Sequence, residues 1–375
     1  MADQTVRVGR LQRGAALALA VFALFVVGAL VSITLLVGLT EHRIGRNLLR
    51  LRQSLAVAER GLVEPVRRWN TGVYNRLSIG DSIAFAGQTA GSGGFRGSLT
   101  RMNELLFLVV AEGIGGPSAA GQRLGALVRI EPLDLRARAA LTTSAPTEID
   151  RWSIIDGSDH SPFGWTCPPD SSRFPAVRIP AADSSSTAVT GCPTCVSGGL
   201  GVMLDSLLPP SLLRDLGVAG LAEFRNVATV VFNGGSFQVA PISSNATCVT
   251  AAPTNWGDPY DRSGPCGDYF PLVYSLGSLQ LIGGRGQGIL VVDGDLSLAP
   301  GVEYDGLAVS SGSVSANGAR VLGAVVSLGS SGRANQVLGG SELRYSSCAM
   351  HAAVVGSGTG FFLRERGWLM GAEIP

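Results

Sequence analysis

Residues 288–332 repeat a short pattern that decides how the last third of this 375-residue chain folds. The segments GILVVDGDLSL, GLAVSSGSVSA and GAVVSLGSSG begin at Gly288, Gly306 and Gly323, which are 18 and then 17 residues apart. Each repeat offers two or three short strands that turn at glycine, and one repeat alone cannot bury its apolar face. The regular spacing therefore predicts a right-handed parallel β-helix over residues 272–350, to which Leu279–Ile282 adds a further strand. Residues 351–375 are expected to form a C-terminal tail. The alternative is a glycine-rich antiparallel sandwich with accidental spacing.

The middle of the chain gives a mixed signal. Residues 70–132 alternate apolar and polar positions in short segments between glycine-rich turns, which predicts antiparallel strands joined by hairpins. The segments are Leu77–Phe85, Phe95–Arg101, Glu104–Ala111 and Gln122–Glu131. Residues 133–271 are rich in Pro and Cys, with one short helix predicted near Ser211–Phe224. The sequence leaves open whether this region is a linker, an irregular β region, a separate domain or extra β-helix rungs.

The N-terminal region predicts one long helix. Residues 15–40, AALALAVFALFVVGALVSITLLVGLT, carry no charge, and as a helix they exceed the roughly 30 Å of a bilayer core. This length favours a transmembrane helix over a cleaved secretory signal, whose apolar region is about 7–15 residues. Over residues 41–64 apolar residues recur every three or four positions, which predicts an amphipathic continuation that ends before Pro65. The apolar stripe of this continuation, which includes Ile44, Leu48 and Leu51, is expected to pack on the following domain. The predicted fold class is thus mainly β, with one long N-terminal transmembrane and amphipathic α-helix, a small antiparallel sheet and a C-terminal β-helix.

Two parts of the sequence resemble a known family. Residues 12–17 (QRGAAL), the apolar run, Arg43, Asn47 and residues 56–62 (AVAERGL) resemble the N-terminal region of PilX-type minor pilins and type IV pilus assembly proteins. The resemblance covers residues 10–64. Segments 255–259, 266–271, 283–288 and 345–349 resemble the C-terminal part of uncharacterised PilX-like proteins of GC-rich Gram-negative bacteria.

The resemblance implies a processing site and a set of partners. A prepilin peptidase would cut between Gly14 and Ala15, after a basic leader of residues 1–14. Leu19 stands at the fifth position after that cut, where major pilins carry Glu, and this departure implies a minor, initiating or tip component. The implied partners are other pilins or pilus assembly proteins through the N-terminal helix, together with inner-membrane lipid. The body would lie in the periplasm or on a surface filament.

Six cysteines all follow the membrane segment: Cys167, Cys192, Cys195, Cys248, Cys266 and Cys348. An even number on one side of a membrane predicts disulfides in an oxidising compartment, with fifteen possible pairings. The Cys192-Pro-Thr-Cys195 spacing also suits a redox pair or half a metal site. We favour a structural disulfide, because no helix follows to lower a thiol pKa.

Catalytic and metal motifs are weak. The three histidines are far apart in sequence, so they predict no zinc site. Residues 284–288 (GRGQG) precede a strand-like segment, which favours a turn over a phosphate loop. Asp293-Gly-Asp295 and Asp258-Pro-Tyr-Asp261 suit Ca²⁺ chemically, but such residues more often cap turns. We therefore expect no catalytic residue, no cofactor and no metal site.

The charge balance and the architecture leave three functional hypotheses. The net charge of +1 gives no reason to expect nucleic acid as a partner. The first hypothesis is a non-enzymatic minor-pilin-like component with an assembly, tip or adhesion role. The second is a permanently anchored periplasmic scaffold or adhesin, whose surface or carbohydrate ligand is unknown. The third is a carbohydrate-active β-helix, which requires clustered Asp, Glu or Arg on one face of the rungs.

Overall fold

The computed structural model describes residues 12–89, 93–114, 121–131, 135–167, 173–181, 189–208, 212–363 and 368–370. The chain begins with a 56-residue helix, α1 (Gln12–Arg67), and a short helix, α2 (Thr71–Tyr74). Helix α1 continues through Pro65, where the sequence predicted its end. Leu62 and Val66 pack on the sheet below, and the Arg68 N–H donates to the Glu64 carbonyl at 3.1 Å. This packing holds the last turn although the proline lacks an N–H donor.

An antiparallel sheet follows the helix and packs against its last third. Its first four strands pair in sequence order: β1 (Ser82–Thr89), β2 (Gly93–Arg101), β3 (Leu106–Ile114) and β4 (Gln122–Glu131). One face of this sheet forms a core with α1 in which Leu62, Leu99 and Phe107 are fully buried. The predicted antiparallel sheet is confirmed.

The body of the protein is a large parallel sheet that coils into a solenoid. Its first strands come from residues 141–205: β5 (Leu141–Thr143), β6 (Thr147–Ile149), β7 (Ile154–Asp156), β8 (Val177–Pro180), β9 (Val189–Gly191), β10 (Val196–Ser197) and β11 (Val202–Asp205). Two short helices then follow, α3 (Leu212–Asp215) and α4 (Leu221–Val227). The region that the sequence left open thus contributes rungs to the solenoid.

The remaining strands wind through the C-terminal third. They are β12 (Val230–Phe232), β13 (Gly235–Val239), the hairpin β14 (Ser243–Ser244) and β15 (Thr247–Cys248), β16 (Leu272–Ser275), β17 (Leu279–Val292), β18 (Leu296–Leu298), β19 (Val302–Ser310), β20 (Val314–Asn317), β21 (Arg320–Ser327), β22 (Asn335–Leu338) and β23 (Glu342–Tyr345). The predicted parallel β-helix is therefore confirmed, with strands on three faces.

The order of rungs along the solenoid differs from their order in the chain. Strands β21, β22 and β23, the last of the solenoid in sequence, pair in parallel with β5, β6 and β7, the first. The chain therefore starts in the middle, winds out to one end at β11, and re-enters at the other end with β12. One row of directly paired residues shows the full stack: Val230, Val273, Leu290, Ala308, Val325, Leu141, Val177 and Val202.

The three glycines that begin the sequence repeats stack on one another. Gly288 pairs with Gly306, and Gly306 pairs with Gly323, at φ angles of 113°, 140° and 142°. A Cβ on Gly306 would lie 2.1 Å from the carbonyl oxygen of Gly288, and one on Gly323 would lie 2.0 Å from that of Gly306. Only glycine permits this backbone conformation at this spacing.

The chain ends by returning to the antiparallel sheet. Helix α5 (Ser347–Gly356) starts at Ser346, whose side chain accepts a hydrogen bond from the Ala349 N–H. Strands β24 (Thr359–Phe362) and β25 (Trp368–Met370) then pair antiparallel with β4. The solenoid is thus an insertion between two neighbouring strands of the antiparallel sheet. Residues 351–375, expected as a C-terminal tail, supply most of α5 and these two strands.

The glycine stack gives a first test. We expect Gly306→Ala to lower the free energy of unfolding by more than about 3 kcal/mol, because it adds a clash to the strain of a positive φ. The matched variant Gly301→Ala also sits at positive φ, 79°, but nothing lies within 4 Å of its Cβ position. It should cost only about 1 kcal/mol. Denaturant unfolding followed by tryptophan fluorescence compares the two, and equal losses would contradict the stacking account.

Candidate functional site

The first part of α1 projects away from the rest of the protein. Side chains from Ala16 to Gln53 are exposed, and Ser54 is the first buried residue of the helix. At about 1.5 Å per residue this exposed part is roughly 55 Å long. It is the one helix of the described residues that is both long and apolar enough to cross a membrane. Residues 1–11 of the predicted leader lie outside the described residues. At the predicted cut, the backbone of Gly14 and Ala15 is helical.

The last third of α1 is fixed by close packing on β3. Ala58 and Leu62 are fully buried in the core between helix and sheet. Opposite them, a Cβ on Gly113 would lie 2.0 Å from the Ser54 carbonyl oxygen and 2.5 Å from the Ala58 nitrogen. The helix backbone therefore rests directly on the strand, which sets the direction in which the exposed part projects.

Between the uncharged run and this docked part, α1 carries an apolar stripe that is largely exposed. Ile44, Leu48 and Leu51 were expected to lie on the following domain, but they are 66 %, 48 % and 44 % exposed. Only Leu55, Ala58 and Leu62 of the same stripe pack on the sheet. The stripe thus runs continuously from the protein core to the uncharged run, and its middle is exposed.

The region after α1 connects the antiparallel sheet and the solenoid. The Asn75 side-chain amide donates to the carbonyls of Gly356 and Gly358 at 2.8 and 2.9 Å, and accepts from the Trp69 indole at 2.8 Å. Arg76 donates to the Pro265 carbonyl in the solenoid. The helix end is thereby tied to both the sheet and the solenoid.

All six cysteines form disulfides. The pairs are Cys167–Cys348, Cys192–Cys195 and Cys248–Cys266. The first joins a segment after β7 to helix α5, residues that are 181 positions apart in sequence. The second lies in a short 3₁₀ turn between β9 and β10, against the solenoid core, and a strand follows it. The Cys167–Cys348 crosslink therefore fastens the segment after β7 to α5, whereas the other two disulfides close local loops.

One face of the solenoid carries a column of alternating charge. Arg285, Glu303, Arg320 and Glu342 are directly paired neighbours on four successive strands. Tyr260 lies over the column, with its ring centroid 5.5 Å from the Arg285 guanidinium carbon and 5.7 Å from that of Arg320. Burial and a hydrogen bond with Glu303 raise the pKa of Tyr260 to about 12, so the phenol remains protonated. The clustered charges that the carbohydrate-active hypothesis requires are present, but both arginines form ion pairs with aspartates outside the column.

Asp305 lies beneath this column and is 1 % exposed. Its Oδ1 is 3.5 Å from the nearest guanidinium nitrogen of Arg320 and accepts no hydrogen bond among the described residues. Burial raises the pKa of Asp305 to about 6, against a smaller opposing effect of Arg320. The carboxyl group therefore changes protonation in a mildly acidic range, unlike an ordinary aspartate.

The residues considered for calcium serve the fold instead. Asp295 Oδ1 accepts from the Ser313 N–H and hydroxyl at 2.8 and 3.0 Å. Asp258 Oδ2 accepts from Arg285 at 3.1 Å. No group of three or more metal-binding side chains occurs among the described residues.

The glycine-rich segment 284–288 is part of strand β17, and it was expected to be a turn. The Gly284 position explains its composition, since a Cβ there would lie 1.7 Å from the Val239 carbonyl oxygen of the neighbouring rung. At this corner the backbone of one rung passes close to the backbone of the neighbouring rung. As at Gly306, only glycine leaves enough space for this close approach.

Two cavities of about 400 and 780 Å³ adjoin where the sheet meets the solenoid. Both are lined by Glu104, Arg262 and His351. Arg262 stacks on Trp165, with its guanidinium carbon 4.6 Å from the ring centroid, and pairs with Asp268 at 2.7 Å. Arg262, which lines both cavities, is thus engaged by neighbours within the solenoid.

Sequence reasoning found the cysteines and the helix stripe but missed the charged column and the buried Asp305. The column residues are 17 to 22 positions apart, close to the repeat period, so extending the repeat alignment to its polar positions would have found them. Tyr260, which lies over the column, belongs to a segment outside the repeat. Its position could therefore not be found from the repeat spacing.

Comparison with known proteins gives little further information. No protein-family model matches the sequence, and no curated protein matches it. The crystal structure of the competence-associated pilin ComZ from Thermus thermophilus is similar over 85 % of this chain and 97 % of that chain, with a TM-score of 0.24 and 12 % identity. This degree of likeness does not establish a shared fold or a shared function.

The disulfides give a second test. In the chain-entropy model, Cys167–Cys348 contributes about 5 kcal/mol and Cys192–Cys195 about 2 kcal/mol, because the first closes a far longer loop. We expect Cys167→Ser with Cys348→Ser to lower the denaturant midpoint clearly more than Cys192→Ser with Cys195→Ser. The comparison uses the full chain in detergent micelles. The reverse order would show that the short crosslink, not the long one, stabilises the solenoid.

The buried carboxyl group gives a third test. Because the folded pKa of Asp305 is above its unfolded value, the folded state binds more protons between about pH 4 and 6. The contribution of Asp305 to stability should therefore fall as pH rises through this range, by on the order of 2–3 kcal/mol. Asp305→Asn should flatten that part of the profile of unfolding free energy against pH. The exposed Asp261→Asn is the control and should keep the wild-type profile, whereas an unchanged profile in Asp305→Asn would contradict the assignment.

Proposed function

We propose that this protein is a non-enzymatic, minor-pilin-like component of a type IV pilus or related pseudopilus, held in the inner membrane by α1 before assembly. The observation that carries the proposal is the apolar stripe of α1. It packs against the sheet at Leu55 and Leu62, and is exposed at Ile44, Leu48 and Leu51. An exposed stripe in continuity with a docked one is what neighbouring helices cover in a bundle.

The charges around the stripe support the same arrangement. Arg43, Arg46, Arg50 and Arg52 follow the uncharged run, so α1 leaves the hydrocarbon region before the stripe begins. The stripe therefore lies outside the membrane segment but before the globular body, on the part of the helix that adjacent subunits reach. The rigid docking of α1 at Gly113 would keep this surface in a fixed direction.

The solenoid would then be displayed at the tip or the side of a filament. Three disulfides and a continuous hydrophobic core make it a rigid body suited to an oxidising compartment. An assembly-priming, tip or adhesion role fits a rigid surface held by one helix. The alternative is a permanently anchored periplasmic scaffold or adhesin, which uses the same anchor but keeps its leader.

The charged column favours carbohydrate binding as a second candidate. Arg320 and Glu303 place hydrogen-bonding groups of both signs beside the aromatic ring of Tyr260. We rank it second because each arginine of the column already faces a carboxylate. Binding of acidic and neutral polysaccharides by the wild type and by Glu303→Gln tests this candidate directly. If the two proteins bind these polysaccharides equally, carbohydrate binding at the column is ruled out.

Processing of the N-terminus tests the first proposal. We expect mass spectrometry of the membrane-extracted protein to find a mature N-terminus at Ala15 when the host's prepilin peptidase is present. Gly14→Val should retain residues 1–14 in the same cells, because a branched side chain replaces the residue after which this peptidase cuts. An intact leader on the wild-type protein would instead favour the permanently anchored scaffold.

A further inference from the structure

The two ends of the solenoid differ. At the end formed by β12 and β13, the Phe232 ring lies 4.5 Å from that of Phe237 and 6.2 Å from that of Trp256, measured between centroids. Val230 in the same end strand is only 8 % exposed. Bulky aromatic rings therefore close this end over the core.

At the opposite end, β11 is left as an open edge. It pairs with β8 on one side, and no described residue pairs with its other side. Val202 and Leu204 are 46 % and 56 % exposed, whereas their partners on β8, Val177 and Ile179, are 0 % and 1 % exposed. The inward-facing positions of the solenoid thus become exposed at this strand, since no described strand forms a further rung beyond it.

The edge is held in a fixed conformation. Arg178 on β8 donates through Nε to Asp205 at 2.8 Å and through a terminal nitrogen to Asp215 of α3 at 2.6 Å. Arg178 and Asp205 are both buried, which ties β11 to the rung below and to α3. An edge that is rigid before it binds loses little conformational entropy on binding.

The usual protection of an edge strand is absent from β11. Proteins block such edges with exposed charges, proline or bulges. Here the exposed side chains are Val202 and Leu204, flanked by Leu200 and Leu207, which are 58 % and 89 % exposed. The charged residue of the strand, Asp205, is turned into its pair with Arg178. The edge is therefore open to another strand.

A second copy of this chain fits the edge poorly. Strand β11 alone extends one layer beyond β9 and β10, which end the other two faces. Two copies joined through β11 would hold those faces about three strand spacings apart, roughly 14 Å, and leave apolar core between them unfilled. Head-to-tail stacking is blocked as well, because Phe232 and Phe237 close the other end.

We propose that β11 binds an extended, uncharged apolar segment of another polypeptide, which adds to the solenoid as its next parallel-sheet strand. The free N–H and C=O groups of β11 would bind the main chain of that segment. Val202 and Leu204 would select apolar side chains at alternate positions. This surface is independent of the α1 stripe, so the proposal does not depend on the pilus assignment.

The test uses the full-length protein in phospholipid nanodiscs and a fluorescein-labelled peptide with the uncharged sequence of Gly306–Ala316, GLAVSSGSVSA. Its first half pairs in parallel with β17 on the same face of the solenoid in this chain. We expect saturable binding by fluorescence anisotropy, about tenfold weaker for Val202→Lys. The matched control Val231→Lys changes a valine that is 49 % exposed on β12, at the closed end, and should bind as the wild type does.

A second probe separates strand pairing from simple apolar contact. The same peptide N-methylated at alternate residues keeps its side chains but loses backbone donors, so its binding should fall by about tenfold or more. Hydrogen exchange at Val202–Asp205 should slow only with the unmodified peptide. Equal binding of both peptides, no binding of either, or equal effects of Val202→Lys and Val231→Lys would overturn the proposal. A wild-type dimer that Val202→Lys dissociates would also overturn it, in favour of a second copy.

Discussion

The structure depends on how closely successive rungs can stack at one corner of the solenoid. Gly288, Gly306 and Gly323 meet there with positive φ, and each leaves room for the backbone of the rung before it. This close contact lets β17, β19 and β21 pair without a break on both sides of the three glycines. The hydrophobic core then forms inside the coil from residues such as Leu290 and Val325, each buried by its neighbours in the stack.

The same stacking lets the chain enter the solenoid in its middle. Strands β21 to β23 pair with β5 to β7, so the first and last parts of the insertion lie together beside the antiparallel sheet. This brings the end of β4 and the start of β24 within pairing distance. The insertion therefore leaves the sheet complete, and α1 can dock on that sheet as it would without the solenoid.

Charge in this protein is used mainly to hold segments to the solenoid. The Arg285 to Glu342 column fixes the Tyr260 segment, and Arg178 fixes the terminal strand through Asp205. Such pairs contribute little free energy at a surface but become specific when they are partly buried. The exposed features left over are apolar: the stripe on α1 and the edge of β11. Both are surfaces at which we propose contact with other polypeptides.

The sequence by itself determined the local and periodic features. The uncharged run predicts the exposed helix, the alternation over residues 70–132 predicts the antiparallel strands, and the glycine spacing predicts the rungs, because each depends on residues near in sequence. It did not determine the passage of α1 through Pro65, the rung order or the exposure of Val202. Only the tertiary structure decided these, since helix-end packing, β21–β5 pairing and the missing rung after β11 depend on residues far apart in the chain.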